Sequence, residues 1–128
     1  MKALILAAGY ATRLYPLTKE FPKPLLLVKQ RPIIDYIVDK LQRIDAVNEI
    51  IVVTNSKFIS LFKKWAGKQR SLKRISLVDD LTKGPDDRRG AIGDMSFTIN
   101  KKRIKDDLLV VGGDNLFDMD LAGFFSFA

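Results

Sequence analysis

Apolar positions in this chain fall into short continuous runs, separated by stretches with a helical repeat. Residues 3–7 (Ala-Leu-Ile-Leu-Ala) follow Lys2; Ile50-Ile-Val-Val53 lies within Glu49–Thr54, and Leu108-Leu-Val-Val111 within Asp107–Gly112. Runs this short, without polar alternation, predict strands covered on both faces. Arg74-Ile-Ser-Leu-Val-Asp79 alternates instead and predicts a weaker fourth strand. Between the strands, Ile34, Ile37, Val38, Leu41 and Ile44 recur at helical spacing after Pro32, a residue suited to a helix start. Phe58, Ile59, Phe62, Trp65 and Ala66 repeat the pattern, with Gly67 as a stop. A third helix is expected around Arg89 to Lys101, although Gly90 and Gly93 lie inside it. Strands alternating with helices imply an α/β fold: a mostly parallel sheet with helices on both faces.

In such sheets ligands bind beyond the carboxyl ends of the strands. The segments leaving the strong strands are Ala8-Gly-Tyr-Ala11, Asn55-Ser56 and Gly113-Asp-Asn115. Leu81–Gly90 is the one long polar insertion and a candidate binding loop.

With 128 residues the chain forms one domain at most. A hydrophobic fraction of 47% with 29% charged residues excludes a disordered chain. No apolar run reaches the ~20 residues of a membrane span. The N-terminus, with one Lys and five apolar residues, reads as a core strand and not as a signal peptide. A cytoplasmic protein without a membrane partner is expected.

The chain has no Cys and no His. Disulfides, thiolate metal sites, thiol nucleophiles and imidazole bases are therefore excluded, and any metal must take oxygen ligands, which favours magnesium-type ions. The net charge of +7 points to a polyanionic partner: a nucleotide, a sugar phosphate or nucleic acid. Part of the excess lies in Lys57, Lys63, Lys64, Lys68, Arg70, Lys73 and Arg74, with no acid among them. The aromatics in this stretch share one helical face and read as core, so the run is expected to be a solvated surface and nucleic acid is not expected as a partner.

The loop after the first strand matches neither the P-loop nor the Gly-x-Gly-x-x-Gly dinucleotide pattern. Its small residues Ala7, Ala8, Gly9 and Ala11 nevertheless allow close approach of a ligand to backbone N–H groups. Arg13 adds a planar fork of donors and Lys23 a compact charge, on a segment stiffened by Pro16, Pro22 and Pro24. An ordinary strand-to-helix turn fits the composition equally well. Likewise Gly113-Asp114 after a strand fits either a turn or a metal ligand.

Leu6-Ala-Ala-Gly-Tyr-Ala-Thr-Arg-Leu14, followed by Pro16-Leu-Thr18 and Pro22-Lys-Pro-Leu25, resembles the signature of the sugar-phosphate nucleotidyltransferases, the nucleoside-diphosphate-sugar pyrophosphorylases. One departure is Ala11, where that family commonly has glycine. Pro32-Ile-Ile-Asp-Tyr36, Gly90-Ala-Ile-Gly-Asp94 and Val111-Gly-Gly-Asp114 resemble later family segments in the same order.

The resemblance implies a three-layer, Rossmann-like nucleotide-diphospho-sugar transferase fold. It also implies a reaction in which a nucleoside triphosphate and a sugar 1-phosphate give a nucleoside diphosphate-sugar and pyrophosphate. The attacking phosphate oxygen is already ionised near neutrality, its second pKa being ~6, so a chain without His or Cys lacks nothing essential. By position, Arg13 would bind the triphosphate and stabilise the leaving pyrophosphate, and Lys23 would bridge the two phosphates. Asp114 would hold Mg²⁺, ranked above Asp118 and Asp120. Leu6, Ala7, Ala8, Gly9, Tyr10, Ala11, Thr12 and Gly90 would join Arg13 in nucleotide binding. Glucose 1-phosphate with dTTP or UTP is the favoured substrate pair. A choline-phosphate cytidylyltransferase relative and a non-catalytic nucleotide-binding module are the alternatives.

Family members draw a second metal-binding aspartate and most sugar contacts from a following half. The stretch Asp120-Leu-Ala-Gly-Phe-Phe-Ser-Phe-Ala128 begins an amphipathic helix that is not completed. Residues 1–128 are therefore expected to form the nucleotide-binding N-terminal half, able to self-associate or to pair with a separate C-terminal half.

Overall fold

The computed structural model describes residues 1–9, 21–69, 73–105 and 107–113. Four strands form one parallel sheet: β1 (Lys2–Leu6), β4 (Glu49–Thr54), β5 (Arg74–Asp79) and β6 (Leu108–Gly112), in the order β5-β4-β1-β6. Register is continuous across the centre, with Leu4 opposite Ile51 on one side and Val110 on the other. All four strands expected from the apolar runs are present.

Because successive strand residues face opposite ways, the apolar runs feed two separate cores. On one face Ala3, Ile5, Ala7, Ile50 and Val52 pack with α1 (Ile33–Gln42) and α2 (Ile59–Gly67), through Ile34, Ile37, Leu41, Phe58, Phe62 and Trp65. On the other, Leu4, Ile51, Val53 and Val78 meet Met95 and Phe97 of α3 (Gly90–Lys102). A fully buried side chain of this size contributes about 1.5–3 kcal/mol, so the central strands carry most of the stability. Phe62 meets Trp65 edge-on with centroids 6.4 Å apart, and Trp65 Nε1 donates to Asp35 Oδ1 at 2.6 Å, tying α2 to α1.

The basic residues Lys57, Lys63, Lys64 and Lys68 are exposed, while Phe58, Phe62 and Trp65 are buried and Ile59 half-buried. The aromatics of this stretch are thus core, as their spacing predicts.

One element was not legible in the sequence. Strands β2 (Leu27–Val28) and β3 (Arg31–Pro32) form a small antiparallel hairpin before α1. Its turn residues Lys29 and Gln30 have φ of 51° and 67°, the conformation that two-residue hairpins favour but usually assign to Asn and Gly. Tertiary contacts hold it: Tyr36 Oη donates to Val28 O at 2.6 Å, and the Arg31 guanidinium lies 4.9 Å from the Tyr36 ring centre.

The topology also locates a crevice. From β1 the chain moves outward to β4 and β5, then returns to add β6 on the other side of β1. The order therefore reverses between β1 and β6, the point at which open α/β sheets bind ligands beyond the strand ends.

Candidate functional site

The end of β1 is fixed from its neighbours on both sides. Ala7 N donates to Val53 O at 2.8 Å, and Gly113 N donates to Leu6 O at 2.8 Å. Beyond β4, Thr54 Oγ1 donates to Ala7 O at 3.1 Å and Asn55 Nδ2 donates to Ala8 O at 3.0 Å. Asn55 Oδ1 in turn accepts from Phe58 N at 2.9 Å, at the start of α2. The first residues of the loop are thus held by buried side chains before the chain reaches Gly9.

At the reversal point lies a cavity of about 250 Å³, lined by Leu6, Ala8, Gly9, Arg88, Gly90, Asp94 and Gly112. Its walls come from the ends of β1 and β6, from the polar loop before α3, and from the first turn of α3. Gly90 opens that helix with φ +76°, a conformation that disfavours any side chain. An added Cβ at Gly9 would meet nothing within 4 Å, so its missing side chain leaves open space beside the cavity.

Four of the residues expected to bind nucleotide, Leu6, Ala8, Gly9 and Gly90, line this one cavity. Ala7 is buried in the core against α1 and α2 and is not among the lining residues. Lys23 opens a short 3-10 turn, Lys23–Leu25, and is not among the lining residues. Tyr10, Ala11, Thr12, Arg13 and Asp114 lie outside the described residues. Among the described residues no group of three or more acidic side chains could hold a metal ion, and no helix is long and apolar enough to cross a membrane.

Three lining residues, Arg88, Asp94 and Gly112, were not anticipated as site residues. Arg88 lies in the polar loop already marked as a candidate binding segment. Asp94 stands four residues after Gly90, a helical spacing that brings it to the same side of the first turn. It is 6% exposed, and its Oδ1 has no hydrogen-bond partner among the described residues. Burial, reinforced by a hydrogen bond to the Asp80 carboxyl and by the charge of Asp80, pushes Asp94 up to about 7, with Arg89 opposing.

Asp80 follows β5 and is also buried. Its Oδ1 accepts from Thr82 N at 2.9 Å and Thr82 Oγ1 at 2.7 Å, while its carbonyl accepts from Arg89 Nε at 2.7 Å. The loop between β5 and α3 is therefore folded around Asp80 and brings Arg88 and Gly90 to the cavity.

A parallel sheet with a crevice at the strand reversal, lined by the small residues Ala8, Gly9 and Gly90, defines an open α/β domain with a site beyond its strand ends. The chain belongs to the nucleotidyl transferase family, whose sequence pattern it matches over residues 2–128. It is 31% identical over 119 residues to the bifunctional protein GlmU of Methanococcus maripaludis, covering 92% of this chain and 26% of that protein. It is 28% identical over 122 residues to a D-glycero-α-D-manno-heptose 1-phosphate guanylyltransferase of Campylobacter jejuni, covering 95% of this chain and 51% of that one. A crystal structure from Bacillus anthracis, provisionally named a glucose-1-phosphate thymidylyltransferase, is 27% identical with a TM-score of 0.81, over 98% of this chain and 49% of that one. The chain thus spans about a quarter to a half of the length of these proteins.

Proposed function

We propose that this chain supplies the nucleotide-binding part of an enzyme that transfers a nucleotidyl group from dTTP or UTP to a sugar 1-phosphate, with glucose 1-phosphate favoured. The observation that carries the reading is the cavity between the ends of β1 and β6, lined by Leu6, Ala8, Gly9 and Gly90. Small residues there admit a flat ring, and the loop that leaves the cavity leads in sequence to Arg13 and Lys23.

In this reading the chain needs no general base, because the attacking phosphate oxygen is ionised near neutral pH. Arg13 binds the triphosphate and stabilises charge on the departing pyrophosphate. Lys23 draws the two phosphates together, offsetting the repulsion that opposes in-line attack on the α-phosphorus. The bond formed joins the sugar phosphate oxygen to the α-phosphorus, and the bond broken releases pyrophosphate.

A chain with only oxygen donors fits a hard ion such as Mg²⁺, which needs one or two carboxylates and completes its shell with phosphates and water. Asp114, two residues after Gly112 of the cavity wall, would hold it. Such an ion would supply charge neutralisation to the reacting phosphates.

The names of the relatives span several donors, so the base is the part that most needs measurement. Thermal shift of the chain with dTTP, UTP, CTP, GTP and ATP, each with Mg²⁺, is the direct test. Stabilisation by dTTP or UTP above the others is expected, because a ligand that binds only the folded state raises its stability. Absence of any nucleotide effect would overturn the reading. Preferential stabilisation by CTP would favour a choline-phosphate cytidylyltransferase-like role instead.

A further inference from the structure

We propose that Arg89 is a positioning residue for nucleotide binding, a strap from the end of β5 to the middle of α3 that holds Arg88 and Gly90 against the cavity. The inference rests on the nucleotide reading of the cavity and adds a residue that is not among those lining it. Arg89 Nε donates to the Asp80 carbonyl at 2.7 Å, and its guanidinium carbon stands 4.4 Å from the Phe97 ring centre. Both anchors are themselves fixed. Asp80 N donates to Thr54 O at 2.8 Å, and Phe97 packs on the core of Leu4, Ile51, Val53 and Val78.

The need for a strap follows from the backbone. The earlier part of the loop is folded on itself, with the Asp87 carboxylate accepting from Lys83 N at 3.1 Å and Gly84 N at 3.0 Å. The chain then passes from φ −84° at Arg89 to φ +76° at Gly90. Glycine has little preference between the two signs of φ, so Gly90 does not fix this turn by itself. A planar guanidinium can donate in its plane and stack on its face at once, so Arg89 engages both anchors together.

Gly93 completes the device. A Cβ there would lie 2.9 Å from Arg89 Cβ, so the place of the missing side chain is taken by the Arg89 stem. Glycine inside a helix is otherwise a cost relative to alanine. Its position one turn into α3 is explained by the passage it leaves for Arg89. Gly93, like Arg89, is not among the lining residues, so both act on a ligand through the wall they position.

The test is isothermal titration of the chain with UTP, dTTP, CTP, GTP and ATP, each with Mg²⁺, the tightest of them then being followed through Arg89→Met, Gly93→Ala and Lys101→Met. Amide hydrogen exchange of the nucleotide-free proteins is measured alongside. Methionine keeps an unbranched stem but brings neither the donor nor the cation. Arg89→Met is expected to weaken nucleotide binding roughly five- to fiftyfold, the worth of one hydrogen bond and one cation–π contact. The amides of Gly93 and Asp94, which close the opening turn of α3 by helix geometry, should exchange roughly tenfold faster, with β1 and β4 unchanged. Gly93→Ala should weaken binding comparably, although alanine is the better helix former. Lys101 Nζ also lies 5.6 Å from the Phe97 ring centre, but in the last turn of α3, and Lys101→Met should match wild type in both measurements.

Arg89→Met that binds the nucleotide as tightly as wild type overturns the inference alone, whether or not exchange quickens. Weaker binding with unchanged exchange also overturns it, because the guanidinium would then act on the ligand directly. Wild-type affinity in Gly93→Ala, or a loss in Lys101→Met equal to that in Arg89→Met, does the same. Wild type that binds no nucleotide overturns the inference together with the proposed function.

Discussion

The side-chain amide of Asn55 spans 47 residues to donate to the Ala8 carbonyl at 3.0 Å. Its oxygen meanwhile accepts from Phe58 N at 2.9 Å, so one buried residue couples the loop after β1 to the start of α2. Asn55 is fully buried, and neither of its partners has water as an alternative. The relationship explains how Ala8 is held at the cavity wall.

Replacing Asn55 by Ala would orphan the buried Ala8 carbonyl, while Phe58 N keeps the backbone carbonyl of residue 55 as acceptor at 3.2 Å. A buried unsatisfied group costs about 1–3 kcal/mol, so a loss of about 1–3 kcal/mol is expected for Asn55→Ala. Urea unfolding read by circular dichroism checks it. A change below about 0.5 kcal/mol, the usual range for surface substitutions, would show that the amide does not hold the loop.

Glu49 supplies the second long-range tie, at the opposite end of the sheet. Its carboxylate accepts from Lys2 Nζ at 2.9 Å and from the Ser76 hydroxyl, with Lys102 Nζ at 3.5 Å. Burial would raise its pKa, but the hydrogen bonds from Ser76 and Lys2 and the charges of Lys102 and Lys2 outweigh that and lower it from 4.5 to about 2. The ionised form is therefore bound more tightly in the folded state. Its contribution is present above pH 4.5 and is lost as pH falls towards about 2. Allowing for solvent screening, about 2 kcal/mol is at stake. Glu49→Gln should lower the midpoint of urea unfolding at pH 7 and flatten the acid limb below pH 4.5. An acid limb identical to wild type would exclude Glu49 as its source.

The sheet was legible because its evidence is local. Three apolar runs and one alternating segment mark β1, β4, β6 and β5 directly, and Gly67 marks the end of α2. The rim position of Gly9 and Gly90 followed from strand-end logic combined with the resemblance of the surrounding motifs. The hairpin at Lys29 and Gln30 was not legible, because its turn chemistry is absent from the sequence and is imposed by Tyr36 and Arg31 from α1 and β3. Asp94 was visible within its motif but not its state. A buried carboxyl pair arises only when the loop after β5 folds back over the first turn of α3.

That pair makes stability depend on pH with the opposite sign to Glu49. Burial, then the hydrogen bond and charge of Asp80, hold Asp94 protonated in the folded chain up to about 7, whereas an exposed aspartate titrates near 3.8. Between those values the folded state binds more protons than the unfolded one, so stability falls as pH rises from about 4 to about 7. Asp94→Asn removes this slope and should be more stable than wild type at pH 8. Melting temperatures across pH 4–8 test it. A wild-type slope that persists in Asp94→Asn would place its origin elsewhere.

Gly9 of the cavity wall and Gly113, which follows Gly112 of that wall, should respond differently to an added methyl group. At Gly113 a Cβ would lie 2.9 Å from Leu6 O, 3.1 Å from Ile5 Cγ2 and 3.3 Å from Ala7 Cβ. The first of these is backbone in the central strand, already accepting the hydrogen bond from Gly113 N, and has no room to move. Gly113→Ala should therefore cost about 1–3 kcal/mol through overpacking, and distort the wall at Gly112 as well. At Gly9 a Cβ meets nothing within 4 Å, so Gly9→Ala should leave the fold intact. The methyl group would instead occupy space that a ligand needs, lowering nucleotide affinity while the unfolding midpoint stays at the wild-type value. Paired urea denaturation and nucleotide titration of the two variants separates these effects. A Gly9→Ala protein with unchanged affinity would remove the loop from the binding surface, and a Gly113→Ala protein as stable as wild type would mean that β6 can shift away from β1.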